Sequence, residues 1–354
     1  MTIDPATLEV YERSAAVYEA SRPPRFADRA SAFRAGVDGP VLDAGCGNGA
    51  YLPRLGDRVV GLDASTAMLD LARPTGRPLV CGDLGRLPFR AGSVAGVWAR
   101  NSYLHVPHDA LPLALAELHR AVPVGAPVQA SFITGPDDVY VADDDLPGRN
   151  FWRWSDEQLV DVFVGAGFND VRLDGERPRF VTARRARSLP DTVGPGMRLL
   201  VCGLNPSLHA ADAGIGFVTP GNRFWPAALE VGLASVDRDP MHAARHHGMG
   251  MTDLAKRATT RADELHPDEY RDGLARVERL CARLQPGAVC MVGLAGWRTA
   301  VDRKAVAGWQ ERTLGGRPVY VMPSTSGLNA HSTQADLTAH LRTAANSPHE
   351  PSTR

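Results

Sequence analysis

The 354-residue chain has no apolar run near the roughly 18 consecutive residues that a membrane-spanning helix needs, so no such helix is expected. Cysteine is scarce. Five thiols (Cys46, Cys81, Cys202, Cys281, Cys290) are odd in number, scattered, and form no C-x-x-C pair. That pattern argues against a disulfide framework and against a zinc or iron–sulfur site with clustered ligands, leaving buried reduced thiols as the expectation. The opening MTIDPATLEVYERSAAVYEA lacks both the basic start and the apolar run of a signal peptide, so the expected location is cytoplasmic. Net charge is almost nil, at −1. It divides unevenly: residues 1–186 carry 20 Lys+Arg against 24 Asp+Glu, and residues 187–354 carry 19 against 16. Eight of the 11 histidines also lie in the second part, a weak pointer to an anionic partner there.

What is present is enough apolar residue, 44%, for real cores. The length allows two domains or one large barrel. Two segments each run from a buried-looking strand into a glycine-containing loop: Pro40–Ala50 and Met197–Ser207. Strands are expected near 39–43, 58–62, 78–81, 94–98 and 126–132, with helices at Ala110–Ala121 and from Ser155 to about Ala166. The runs Asn169–Leu173 and Arg177–Thr182 read as a closing antiparallel hairpin. In the second half, strands near 198–203, 287–292 and 317–321 alternate with helices near 222–233, 268–285 and 333–344. The aperiodic, Arg/Pro/Gly-rich stretch Ala183–Gly196 reads as a solvated linker with the boundary at Arg187. The expected fold class is therefore α/β in two domains, residues 1–186 and 187–345, followed by a polar tail, 346–354.

In the first domain, Val41-Leu-Asp-Ala-Gly-Cys-Gly-Asn-Gly49 delivers a strand into a turn whose glycines let backbone approach a ligand. Asp63 ends the next strand 20 residues after Asp43, the spacing at which a carboxylate takes a ribose diol. Asp83 ends the strand after that. Three carboxylates at consecutive strand ends would repel a pyrophosphate and welcome a cationic nucleoside. These residues make about 8 to 183 resemble a class I S-adenosylmethionine-dependent methyltransferase with a Rossmann-like sheet. The resemblance implies S-adenosylmethionine as cofactor, with Asp43, Gly45, Gly47 and Gly49 around its methionine part, Asp63 on the ribose, and Asp83 and Leu84 at the adenine. The methyl acceptor is not specified. Arg100-Asn-Ser-Tyr-Leu-His105 matches neither the amino-methylating DNA enzymes nor the cytosine-C5 enzymes, but resembles both small-molecule and wobble-uridine tRNA methyltransferases. Tyr103 and His105 are candidates for base or orienter, with a core or rim role equally open.

In the second domain, Cys202-Gly-Leu-Asn-Pro-Ser207 places Asn205 before a proline that holds it extended. Phe217 follows 12 residues later in a glycine-flanked loop suited to stacking on a flipped base. The loop Pro323-Ser-Thr-Ser-Gly-Leu-Asn-Ala-His331 carries an isolated apolar Leu328, the form of a base-stack wedge. Together they resemble the mismatch-specific uracil/thymine-DNA glycosylases, the G:U/G:T branch of the uracil-DNA glycosylase superfamily, over about Leu189 to Ala345. The resemblance implies Asn205 as the residue positioning the attacking water. It also implies Gly203, Phe217 and Ser207 at the base, Gly327, Leu328 and Asn329 at the wedge, and Asn222-Arg-Phe-Trp225 as a shared run. Double-stranded DNA with G:U or G:T mispairs is the implied partner, with no metal or iron–sulfur cluster. Asn205 and Met322 stand where the faster uracil branch has Asp and His, and Ser207 stands where many relatives have Gly. Arg223 is expected in solvent or at a phosphate. Two alternatives stay open: a glycosylase-like module that binds nucleic acid without cleaving it, or a methyltransferase that serves an unrelated small molecule.

Overall fold

The computed structural model describes residues 2–21, 23–135 and 138–347. They form two compact units, one drawn from residues within 2–164 and 168–186, the other from residues within 165–167 and 187–347. Residues 348–354 of the expected tail lie outside the described residues. Among the described residues no helix is long and apolar enough to cross a membrane.

The first unit opens with α1 (Pro5–Ser21), kinked at Ser14, and α2 (Ala27–Ala35). Then follow β1 (Val41–Ala44), β2 (Val59–Asp63), α3 (Thr66–Ala72), β3 (Leu79–Cys81), β4 (Gly96–Ala99), α4 (Leu111–Ala121) and β5 (Pro127–Thr134). A short hairpin comes next, β6 (Val139–Val141) and β7 (Asn150–Trp154). The unit continues with α5 (Asp156–Gly165), β8 (Phe168–Asp174) and β9 (Arg179–Arg185). Strands β3-β2-β1-β4-β5 lie parallel in that order, and β9 returns antiparallel between β5 and β8. Every residue of β1 and β4 is buried, as a parallel sheet covered on both faces requires. The expected closing hairpin is β8 and β9. The β6/β7 hairpin was not legible in the sequence; it attaches to the end of β5 through Ile133 and Thr134.

The second unit runs β10 (Leu199–Gly203), α6 (Leu208–Ala213), α7 (Phe224–Glu230), α8 (Pro240–His247), β11 (Met249–Asp253), α9 (Pro267–Leu284), β12 (Ala288–Val292), α10 (Leu294–Ala300), β13 (Gly308–Trp309), β14 (Val319–Met322) and α11 (Gln334–Ala345). Its sheet order is β11-β10-β12-β14-β13, parallel except for the edge strand β13. The stripe Tyr270, Leu274, Val277, Cys281 and Leu284 seats α9 against the sheet at three- and four-residue spacing.

The segment read as a solvated linker is otherwise. Ala183–Arg185 belongs to β9, and Thr192 pairs with Met251 across the edge of β11. Asp191 is buried between Arg276 (2.6 Å) and Lys256 (2.8 Å), whose cations hold its carboxyl below the usual range against the cost of burial. Arg184 and Arg185 donate to the carbonyls of Gly125 and Val122, and Arg187 pairs with Asp212.

Candidate functional sites

The first cleft lies at the carboxyl ends of β1, β2 and β4. Gly45, Gly47 and Gly49 all have positive φ (78°, 56° and 77°). A Cβ on Gly45 would meet the Ser102 Cβ at 2.2 Å, so only glycine lets the loop fold over the strand end. The three glycines part company in role. Gly45 and Gly47 line the cleft, whereas Gly49 faces Ala72, Leu52 and Thr75 and lets the loop pack on α3. Asp63 accepts from the backbone N–H groups of Gly47 (2.8 Å) and Ser65 (2.9 Å), one on each oxygen, which leaves each oxygen a lone pair for a diol. Burial pushes its carboxyl up, and those N–H groups pull it back. Asp43 is 1% exposed and its Oδ2 has no partner among the described residues. Burial first, then the nearby Asp63, raises its carboxyl to about 8.

Asp43 borders a cavity of about 250 Å³ together with Tyr18, Arg25, Tyr51, Arg100 and Asn101. The adjoining cleft is lined by Tyr11, Tyr18, Asp63, Leu84, Ser102 and His105 among others. Asp83 accepts from the N–H groups of Gly85 (2.8 Å) and Thr2 (2.6 Å), and Leu84 is buried beside it. Of the two acceptor-side candidates, His105 lines the cleft. Tyr103 is fully buried, and its hydroxyl has no partner among the described residues. Tyr11 was missed; it reaches the cleft from α1, far away in sequence.

The second cleft opens where β10 ends. Asn205 Nδ2 donates to Arg257 O (3.0 Å), Pro206 O (3.1 Å) and Thr259 Oγ1 (2.8 Å). Two carbonyl partners can be served only by the amide nitrogen, so the flip state is fixed and Oδ1 remains as the acceptor. A cavity of about 170 Å³ gathers Gly203, Asn205, Ser207, Phe217 and Asp253. Phe217 sits at φ 57° and stacks on Phe224, with centroids 4.3 Å apart and planes 26° apart. Ser207 N-caps α6 by accepting from Ala210 N (3.1 Å), so its hydroxyl is partly committed to the helix.

Leu328 is 95% exposed at the tip of its loop. Arg223, expected in solvent or at a phosphate, instead turns inward and donates to the carbonyls of Ser326 (3.0 Å), Asn329 (2.7 Å) and Ser332. Asn329 Nδ2 closes the same loop onto Ser324 O (2.7 Å), and a Cβ on Gly327 would crowd Gly221 O at 3.1 Å. Met322 is fully buried in the core, so no polar side chain opens this loop.

Asp253 was not anticipated. It ends β11, and a Cβ on Gly203 would stand 2.4 Å from its Oδ1, so glycine is what admits the carboxyl. Burial raises it to about 6, opposed by Lys256 and Arg276 and reinforced by Asp191. An acid whose folded pKa lies above its unfolded value favours folding fully below about pH 4, and that contribution is lost as pH rises through 6. Asp253→Asn therefore stabilises the chain at pH 7.5 by on the order of 3 kcal/mol and much less at pH 4.5. Thermal unfolding at the two pH values checks this; equal gains would contradict it. Among the described residues no group of three His, Cys, Asp or Glu is placed to hold a metal.

The folds and clefts define a protein of two α/β units, each with a ligand site at the carboxyl edge of a parallel sheet. Comparison with known families names the units. Residues 41–125 match the family described as a methyltransferase domain, and residues 190–347 match the uracil DNA glycosylase superfamily. The chain thus carries a methyltransferase domain followed by a uracil DNA glycosylase superfamily domain. Solved structures similar to it include DhpI in its DhpI–SAM–HEP complex (22% identity, 52% of this chain and 100% of that one, TM-score 0.43). They also include a SAM-dependent methyltransferase of Methanosarcina mazei (16%, 42% and 93%, 0.39). A third is the 1,6-didemethyltoxoflavin-N1-methyltransferase of Burkholderia thailandensis (18%, 50% and 84%, 0.39).

Proposed function

We propose that the chain is a bifunctional enzyme, an S-adenosylmethionine-dependent methyltransferase joined near Arg187 to a glycosylase that removes uracil mispaired with guanine in double-stranded DNA. The observation that carries the glycosylase reading is the polarity of Asn205. With Nδ2 committed to the loop 257–259, Oδ1 accepts a hydrogen from water and holds its oxygen toward the sugar. An amide does not deprotonate water, so the chemistry relies on alignment and is slow. Phe217 offers a ring for the flipped pyrimidine, and Leu328 fills the gap that the base leaves.

For the first domain, the buried orphan Oδ2 of Asp43 fits an ammonium, and Asp63 fits a ribose diol. Bound there, S-adenosylmethionine supplies an electrophilic methyl group. The acidic balance of residues 1–186 favours a small acceptor over a nucleic acid.

Leu328 packs on nothing in the free protein, so Leu328→Ala leaves the melting temperature unchanged. The same variant lowers uracil excision from a G:U duplex about tenfold and spares single-stranded substrate. A duplex and single-strand assay run side by side measures this, and equal losses on both substrates would refute the wedge role. Titration calorimetry with S-adenosylmethionine tests the other half; absence of binding would remove the methyltransferase reading.

A further inference from the structure

Three separate parts of the first unit converge on one hydroxyl. His105, in the turn after β4, is 3% exposed, and its Nδ1 lies 2.7 Å from the carbonyl oxygen of Asn150. A carbonyl only accepts, so Nδ1 carries the ring's proton. That carbonyl is itself held in place: Asn150 N donates to Thr7 Oγ1 (2.9 Å) and its Nδ2 to Asp4 Oδ2 (2.9 Å). Burial lowers the imidazole to about 4, with Arg149 adding to the effect and Asp4 and the Asn150 hydrogen bond opposing it. His105 is therefore neutral and its Nε2 is a lone pair. The Tyr11 hydroxyl, 2.9 Å away, must donate to it. Arg149 Nη1 donates to the same phenol oxygen at 3.3 Å, and Arg149 is pinned by Asp144 (2.7 Å) and by the Leu146 carbonyl. Tyr11 is also faced by Tyr18 and Asp63, and burial raises it to about 12.

The phenol's single proton is thus spent on His105, and one lone pair is spent on Arg149. What Tyr11 can still offer the cleft it lines with Gly45, Asp63 and Leu84 is an acceptor lone pair. We propose that Tyr11 is a catalytic residue that receives the X–H hydrogen of the methyl acceptor, a small molecule methylated on a neutral hydroxyl oxygen, and that His105 is the positioning residue that fixes this polarity. The proposal rests on the methyltransferase reading and names its acceptor class.

The step balances. The acceptor oxygen's lone pair forms the O–C bond, the C–S bond of the donor breaks, and its electron pair stays on sulfur. The hydrogen of the alkylated oxygen passes to Tyr11 Oη as the Tyr11 proton moves to His105 Nε2, from which it leaves to solvent. An alkylated oxonium is a far stronger acid than imidazolium, so even a poorly basic His105 suffices late in the reaction. The oxonium must shed its proton within the cleft, whereas an amine's ammonium product, with a pKa of about 10, can leave still protonated; a dedicated proton acceptor is thus needed for oxygen and is superfluous for nitrogen.

The first measurement does not depend on activity. Long-range proton–nitrogen correlation spectra of the ¹⁵N-histidine-labelled full chain should show His105 neutral, with Nδ1 protonated, between pH 5.5 and 8. Its Nε2 signal should shift in Tyr11→Phe. A protonated ring at pH 6, or an Nε2–H tautomer, overturns the polarity whatever the enzyme does.

The second measurement uses tritiated-methyl S-adenosylmethionine with the small-molecule fraction of a cell extract, the labelled product being sorted by hydriodic acid cleavage. Label released as an O-methyl group is the expected result; N-methyl or C-methyl label overturns the assignment. Tyr11→Phe and His105→Leu should each lower incorporation about 100-fold, with cofactor affinity by calorimetry within threefold of the wild type. His105→Gln, whose amide can still donate to Asn150 O and accept from Tyr11 but takes up no proton, should keep cofactor affinity and stay about as slow as His105→Leu; recovery of the rate would refute proton transfer to Nε2. Full activity in Tyr11→Phe would refute the role. Loss of cofactor binding in the wild type would instead fail the methyltransferase reading.

Discussion

Asn205→Ala should lower single-turnover excision of uracil from a G:U duplex by roughly 10²–10³-fold while leaving S-adenosylmethionine binding untouched. The size follows from what the residue does. It supplies no proton transfer, so the loss is that of an oriented nucleophile. Asn205→Asp should not restore the rate. Its carboxylate has no hydrogen to give Arg257 O or Pro206 O and would face two carbonyl oxygens, so it must turn away from the geometry that now aims Oδ1. A gel assay of alkali-labile sites under enzyme excess measures both variants. An Asp variant as fast as the wild type would show that alignment by this amide is not the source of catalysis.

The second large effect concerns Asp43. Its carboxyl, raised to about 8 by burial and by Asp63, is mostly neutral at pH 6 and mostly charged above 8. An ammonium is held by the charged form, so bringing it in must expel a proton. S-adenosylmethionine should therefore bind more tightly by about tenfold per pH unit between 6 and 7, levelling off above 8. Calorimetry at pH 7 in buffers of different ionisation enthalpy should register close to one proton released per cofactor. Asp43→Asn should abolish the pH dependence and weaken binding about 100-fold at pH 8, because the buried partner of the cation is gone. A flat affinity between pH 6 and 8 in the wild type would contradict this account of the cleft.

Much of both sites was legible because their chemistry is local in sequence. Asp43, Gly45 and Gly47 sit within one turn, and Asp63 ends the adjacent strand at a diagnostic spacing. Asn205 is aimed by the proline that follows it, and an apolar Leu328 in a polar loop stands out on composition alone. What escaped was assembled over distance. Tyr11 meets His105 across 94 positions and Arg149 across 138, and no periodicity signals either contact. The β6/β7 hairpin that delivers Arg149 and Asn150 has short strands, one largely exposed, with weak alternation.

Strand β11 was missed for a different reason. Met249-Gly-Met-Thr-Asp253 carries a glycine and only one β-branched residue, so it reads as loop. Gly250 is there because the Met197 sulfur would stand 2.2 Å from a Cβ, a requirement set by a distant element. With β11 went Asp253, the one pocket carboxyl that the sequence did not suggest. Arg223 shows the converse error: exposed-looking in sequence, it is spent on three carbonyls of the wedge loop.

The central claim, that the second cleft cleaves as well as binds, is tested most directly with the full chain and an end-labelled duplex holding one G:U pair. An alkali-labile break at the uracil in the wild type is the expected result. Retention of the duplex on the protein with the strand left intact would contradict it, and would make this domain a module that reads DNA without cutting the base away.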